Sequence, residues 1–283
     1  MAYVFRRQGG GGGGSLKLRF ILALIVAGGA LFSYYSTREY NPIINEVQHV
    51  DLSVDQEIAL GLQAAPEMAS QYGGEAADPE GQALVDRVGK RILERSSAKD
   101  SPYRFEFHLL ADTDTINAFA LPGGQVFITE ALLKRLETEG QLATVLAHEM
   151  GHVVARHGAQ HLAKAKLTQG LTGAAVLATY DPNNPRSQNT AMVAALVGQL
   201  VNLRYGREDE LQSDQLGVRF ASEAGYDPRA MIRVMEILEK SMEGKGRPPE
   251  FFSTHPNPEH RIQRIQNVIA ERYPKGVPGD LQA

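Results

Sequence analysis

Ala147-His148-Glu149-Met150-Gly151-His152 sets two histidines four residues apart around a glutamate, inside an apolar, helix-patterned segment from Leu142 to Arg156. Residues four apart on a helix share one face, one turn above each other. His148 and His152 can therefore point at one metal ion, while Glu149 projects beside it. Zinc hydrolysis needs this layout: protein ligands holding the ion, an open position for water, and a carboxylate that takes the water proton. By itself the motif predicts a metal-dependent hydrolase, with Glu149 as the base.

The third ligand must come from elsewhere. One class of such enzymes places glycine three and histidine six residues beyond the second ligand. Those positions are Ala155 and Gly158, and His157 is one residue out of register. The alternative is a glutamate on a later helix. Glu210 in Glu210-Leu211-Gln212-Ser213-Asp214 fits, because Glu210 and Asp214 are one turn apart on one face. Glu210 is expected to ligate the metal. Asp214 is expected to accept the free ring N–H of a ligand histidine, His148 being the candidate, which would fix that ring's tautomer.

The elements that must position these residues follow from pattern. The 283 residues are 43% hydrophobic and 22% charged, ordinary values for a globular chain with a sizeable core. A net charge of −4 implies no general nucleic-acid affinity. The absence of cysteine excludes thiol catalysis, disulfides and zinc-thiolate sites. Residues 1–19 form a basic, glycine-rich tail, with Gly9 to Gly14 expected to be flexible. Residues 20–36 follow as an apolar span; Phe20 to Tyr35 carries no charge and would make roughly 24 Å of helix. A cleaved signal peptide and an uncleaved signal anchor both fit, the anchor better because the apolar run continues past Ala30. The positive tail places the N-terminus in the cytoplasm and the rest across the membrane, a single-pass arrangement with lipid contact through this helix.

The ordered domain is expected over 41–283. Ser53 and Gln56 fit a capping box for a helix to about Gln63. Asp78-Pro79 starts another. Tyr103 to Leu110 alternates as a strand; Asn117-Ala118-Phe119-Ala120 and Gln125 to Thr129 flank the turn Pro122-Gly123-Gly124. The motif helix should run from about Gly140 to His157. Two alanine-rich segments, Leu167 to Tyr180 and Thr190 to Leu203, read as buried helices in a hairpin or as a membrane-facing or substrate-covering one. Helices are expected from Arg207, from Tyr226-Asp227-Pro228 to about Lys240, and over Glu259 to Arg272. The fold class is α+β: a mainly helical, zincin-like domain around a small sheet, with one N-terminal transmembrane helix.

Three motifs in this order and spacing resemble one family. They are His148-Glu149-Met150-Gly151-His152, Arg207-x-x-Glu210-x-x-Ser213-Asp214, and Asn117-Ala118-Phe119-Ala120-Leu121-Pro122-Gly123-Gly124. They are similar to those of the gluzincin metallopeptidases that include the HtpX heat-shock protease, the CAAX prenyl endopeptidase and the periplasmic protease-chaperone BepA. The resemblance runs from about Val50 to Ile269. It implies one zinc, endopeptidase activity and a role in membrane or envelope protein quality control. The family usually has serine and alanine where Gly206 and Ser213 stand, small changes that leave the ligands undisturbed. Multiple long spans like those of HtpX and the prenyl endopeptidase are not expected here, nor is a helical repeat domain like that of BepA, and prenyl substrates are therefore not expected.

The resemblance also implies that Asn117, Ala118, Phe119 and Ala120 bind the polypeptide substrate as an added strand. His255, in Thr254-His255-Pro256-Asn257-Pro258, resembles a family loop near the active site. It would stabilise the oxyanion or take the zinc's open position and hold the enzyme latent. His108, His157, His161 and His260 are expected at surface or capping positions. Arg207 is expected to pair with a carboxylate, and only its nearness in sequence ties Tyr205 to the oxyanion. The expected function is a zinc endopeptidase acting on misfolded or unassembled envelope proteins on the periplasmic side. A membrane-tethered chaperone or adaptor with latent proteolysis is the alternative.

Overall fold

A computed structural model describes residues 12–179, 206–241, 249–255 and 260–283. The chain divides into two compact units, Met1–Arg38 with Leu162–Leu203, and Glu39–His161 with Arg204–Ala283. The architecture is the mainly helical α+β arrangement that the pattern predicts, with small sheets and an N-terminal apolar helix.

In the first unit, helix α1 spans Gly12–Ser36. It therefore takes in part of the glycine run expected to be flexible, because a nucleated helix gains one hydrogen bond for each residue it adds. Within it, Leu16–Ser36 is long and apolar enough to cross a membrane, the one such helix among the described residues, with mean hydropathy 1.8. The part of helix α6 (His157–Thr179) beyond His161 belongs to the same unit. A side chain on Gly170 would meet the Ala30 Cβ at 2.6 Å, so small residues let these two helices touch. The second alanine-rich segment, Tyr205, the loop after Gly244, and Pro256 to Glu259 lie outside the described residues.

The second unit opens with a hairpin the pattern did not predict. Strands β1 (Arg38–Asn41) and β2 (Glu46–His49) pair around Asn45, which adopts φ 58°. Asparagine tolerates that left-handed geometry better than most residues. Helix α2 (Val54–Gln71) begins at the expected Ser53/Gln56 capping box. Helix α3 (Pro79–Arg95) begins at Asp78-Pro79 and buries Val85, Val88 and Ile92. Next come β3 (Glu106–Leu110), β4 (Ala118–Leu121) and β5 (Gln125–Thr129). The sheet order is β3-β5-β4, parallel between β3 and β5 and antiparallel between β5 and β4, so β4 lies at an edge.

The turn between β4 and β5 is fixed by close approach. Gly123 has φ 87°, and a Cβ there would sit 2.5 Å from the Ile58 backbone; one on Gly61 would overlap the Pro122 carbonyl. Glycine on both partners is what lets α2 lie on this turn.

After the short helix α4 (Glu130–Leu133), helix α5 (Glu139–Val154) runs through the core, with every residue from Gly140 to Val154 buried. A helix apolar around most of its circumference is stable only inside other elements. Helix α7 (Arg207–Glu223) crosses it tightly. A Cβ on Gly151 would fall 2.9 Å from Ser213 Oγ, and one on Gly217 would fall 3.2 Å from the His148 backbone nitrogen. The Ser213 hydroxyl donates to the His148 carbonyl at 2.9 Å. Helix α8 (Ala230–Lys240), the short α9 (Phe251–Thr254) and α10 (Arg261–Arg272) complete the unit.

The motif helix stops at Val154, not at the expected His157. Arg156 takes φ 54°, a strained value for a long side chain. It is held there by hydrogen bonds to Glu57 and the Leu52 carbonyl and by an ion pair with Glu39 at 2.7 Å. Asn41 and Gln48 of the hairpin donate to the Val154 and Ala155 carbonyls left open at the helix end.

Candidate metal centre

Helices α5 and α7 and the end of α9 bring His148, His152, Glu210 and His255 together. One ligand atom of each lies within 4.8 Å of the others, and all four are buried. His148 Nε2 and His152 Nε2 are 3.1 Å apart, with Glu210 oxygens 3.5 Å and 3.4 Å from them. His255 Nδ1 lies 3.0 Å from Glu210 Oε1, and its Nε2 lies 3.7 Å from Glu149 Oε1. The sequence-predicted Glu210 and His255 thus meet the two motif histidines.

The chemistry of this donor set fits a cation. Two imidazole nitrogens facing each other across 3.1 Å repel unless a proton or a metal ion lies between them. Both Glu149 oxygens are buried and make no hydrogen bond. An unsatisfied buried carboxylate is costly, and polar species at a metal position beside it would relieve that cost.

Burial alone would lower the His148 pKa, but Asp214 and Glu210 outweigh it and raise the ring to about 9. Burial holds the His152 imidazole well below its ordinary value, against the pull of Glu210. Burial raises the Glu149 carboxyl, partly opposed by His255 and His148. Burial would also raise Glu210, but His255, His148 and His152 bring it well below the carboxylate range. A metal ion at this position would take the place of the proton between these groups.

The partners behind the ligands differ. Asp214 Oδ1 lies 3.0 Å from His148 Nδ1. Arg261 clamps Asp214 with two hydrogen bonds of 2.8 Å and lies 3.2 Å from Glu210 Oε2. Burial would raise the Asp214 carboxyl, but Arg261 and His148 hold it low. Arg261 escaped sequence reasoning because a lone arginine on an amphipathic helix carries no periodic signal. The other correction is His157, expected at a surface or capping position. It is 1% exposed, and its Nδ1 lies 2.9 Å from His152 Nδ1. The break at Arg156 turns the chain so that a residue five positions on faces back, which an unbroken helix does not allow.

His161 instead pairs with Asp209 at 2.7 Å, His108 lies between Glu75 and Gln125, and His260 is exposed. Along 117–120, the Asn117 amide donates to the Tyr72 hydroxyl at 3.0 Å, and Phe119 stacks on Phe127 at 4.9 Å. Ala118 is fully buried. These side chains serve the fold. Ala120, Leu121 and Pro122 share a small hollow with His152, which brings the edge strand alongside the site.

A buried His-Glu-x-x-His helix crossed by a glutamate-bearing helix beside a short sheet defines a metallopeptidase of the gluzincin type. Residues 79–269 match Peptidase family M48, and the chain belongs to that family. It is 32% identical over 266 residues to the "Mitochondrial metalloendopeptidase OMA1" of Schizosaccharomyces pombe, covering 93% of this chain and 76% of that protein. It is 30% identical over 267 residues to the "Beta-barrel assembly-enhancing protease" of Escherichia coli, covering 90% of this chain and 52% of that one. The chain thus spans about half the length of the Escherichia coli relative. A budding-yeast protein with the OMA1 name is 29% identical over 264 residues.

Proposed function

We propose that this chain is a zinc endopeptidase that cleaves misfolded or unassembled membrane or envelope proteins. The observation that carries the reading is the convergence of four buried donors beside a buried, hydrogen-bond-free Glu149. His148, His152 and Glu210 would hold zinc, a donor set that suits it. Bound there, zinc supplies Lewis-acid polarisation of the scissile carbonyl and makes water acidic enough to deprotonate near neutral pH. Glu149, whose carboxyl burial raises, takes the proton from the attacking water and returns it to the leaving amine. Asp214 orients His148, and Arg261 holds Asp214 in place. The backbone of 117–120 pairs with an extended substrate at the sheet edge, leaving its side chains to the core.

His255 acts in this reading as a fourth donor that keeps the enzyme latent, because its ring nitrogen reaches the same ligand cluster. Residues 1–19 would form a cytoplasmic tail, 20–36 an anchor in the lipid, and 41–283 the peptidase domain on the periplasmic side. The apolar length of Leu16–Ser36 supports the anchor, and the similarity to a protease named for β-barrel assembly supports the envelope side.

The test compares wild type with Glu149→Gln and His255→Ala on a destabilised membrane protein. Loss of a general base typically costs about 100- to 10,000-fold, so Glu149→Gln should abolish cleavage while still binding zinc. His255→Ala should raise the basal rate. Retention of the cellular function by Glu149→Gln would favour the tethered chaperone or adaptor, and an unchanged or lower rate in His255→Ala would remove latency from the account.

A further inference from the structure

His152 has a partner chain of its own, built from groups that the peptidase chemistry leaves unused. It begins at Glu46 on β2. The Gln212 amide donates to Glu46 Oε2 at 2.8 Å, and because a carboxylate only accepts, that contact fixes which end of the amide carries the hydrogens. The Gln212 oxygen therefore faces His157 Nε2, at 2.9 Å. An amide oxygen also only accepts, so Nε2 of His157 carries a proton. The second group near that nitrogen, Asp209 Oδ1 at 3.9 Å, is likewise acceptor-only. In a neutral His157 ring the other nitrogen, Nδ1, is then a lone pair. It lies 2.9 Å from His152 Nδ1, which must donate. The proton of His152 is thereby placed on Nδ1, and its Nε2 lone pair is turned toward His148 and Glu210.

We propose that His157, oriented by Gln212 and Glu46, is the positioning residue that fixes the tautomer and aim of His152 as a metal ligand. The inference rests on the zinc reading above and goes beyond it. His148 has the familiar carboxylate behind it, Asp214; His152 has a neutral imidazole instead. A partner behind a ligand histidine is typically worth about 10- to 100-fold in metal affinity. The helix break at Arg156 acquires a purpose in this account, because only the turned chain brings His157 back onto His152.

The experiment measures zinc affinity of the full chain in detergent by competition with a chromogenic chelator, for wild type, His157→Leu and His157→Asn. Leucine and asparagine are close in size, so each costs a similar amount of packing. Only asparagine offers an oxygen near the position of Nδ1. His157→Leu should bind zinc about 10- to 100-fold more weakly, and His157→Asn should stay within about threefold of wild type. Long-range proton–nitrogen NMR correlations of the zinc-loaded wild type should show the His152 proton on Nδ1. Urea unfolding of both variants, chelated throughout, reports any shared packing loss separately. Equal zinc affinity in wild type and His157→Leu would overturn the proposal, as would a His157→Asn variant as weak as His157→Leu or a His152 proton on Nε2. A wild type that binds no zinc would instead overturn the metal site itself.

Discussion

The two sides of the candidate centre are built from opposite materials. Behind His148 stand charges: Asp214, gripped by Arg261, with Glu210 alongside, all of them buried. Behind His152 stands a hydrogen-bonded chain of His157 and Gln212 that ends on the exposed Glu46. A buried ion network depends on every member, because removing one charge strands another away from water. A neutral chain loses one hydrogen bond at a time. The charged side should therefore decide whether the domain folds, and the neutral side how well it holds metal.

The sharpest way to break that contrast is Arg261→Met. It leaves the Asp214 charge buried without its clamp and should cost about 3–5 kcal/mol of unfolding free energy. Urea titration of the chelated protein measures this; a loss no larger than that of His157→Leu would erase the difference between the two sides. A smaller effect concerns pH. In metal-free protein the His148 pKa rises to about 9: burial opposes the shift, and Asp214 and Glu210 overcome it. An unfolded histidine titrates near 6.5, so above that pH the folded state holds a proton that the unfolded state has lost. Stability from His148 is thus complete below about pH 6.5 and lost as pH rises through about 9. The urea midpoint of chelated protein should fall across that window, and Asp214→Asn should flatten the slope. The smallest effect is expected of Glu46→Ala. The Glu46–Gln212 bond is exposed, so zinc affinity should weaken by less than about threefold. A loss as large as that of His157→Leu would mean that Glu46 does more than orient the amide.

The charged side was largely legible in the sequence, and the neutral side was not. His148 with its motif partner His152, and Glu210 with Asp214, are pairs one turn apart on a helix, which local spacing reveals. The close crossing that joins them depends on Gly151 and Gly217, whose need for contact appears only once both helices are packed. Arg261 and His157 act over long range. His157 depends on a positive φ at Arg156, a residue whose own propensity gives no hint of it and which tertiary ion pairs impose. The hairpin of β1 and β2 was missed for a related reason: it is short, and its capping of the helix end comes from side chains of Asn41 and Gln48.

The depth at which the site lies also bears on rate. Among the described residues, His148, His152, Glu210, His255 and Glu149 are each no more than 3% exposed, so a scissile bond reaches them only in molecules whose covering groups have parted. Turnover then becomes a product of two quantities, the intrinsic speed of an opened molecule and the fraction of molecules that are open. Changes far from the chemistry that alter only the second factor would scale cleavage of every substrate by the same ratio and leave their ranking untouched.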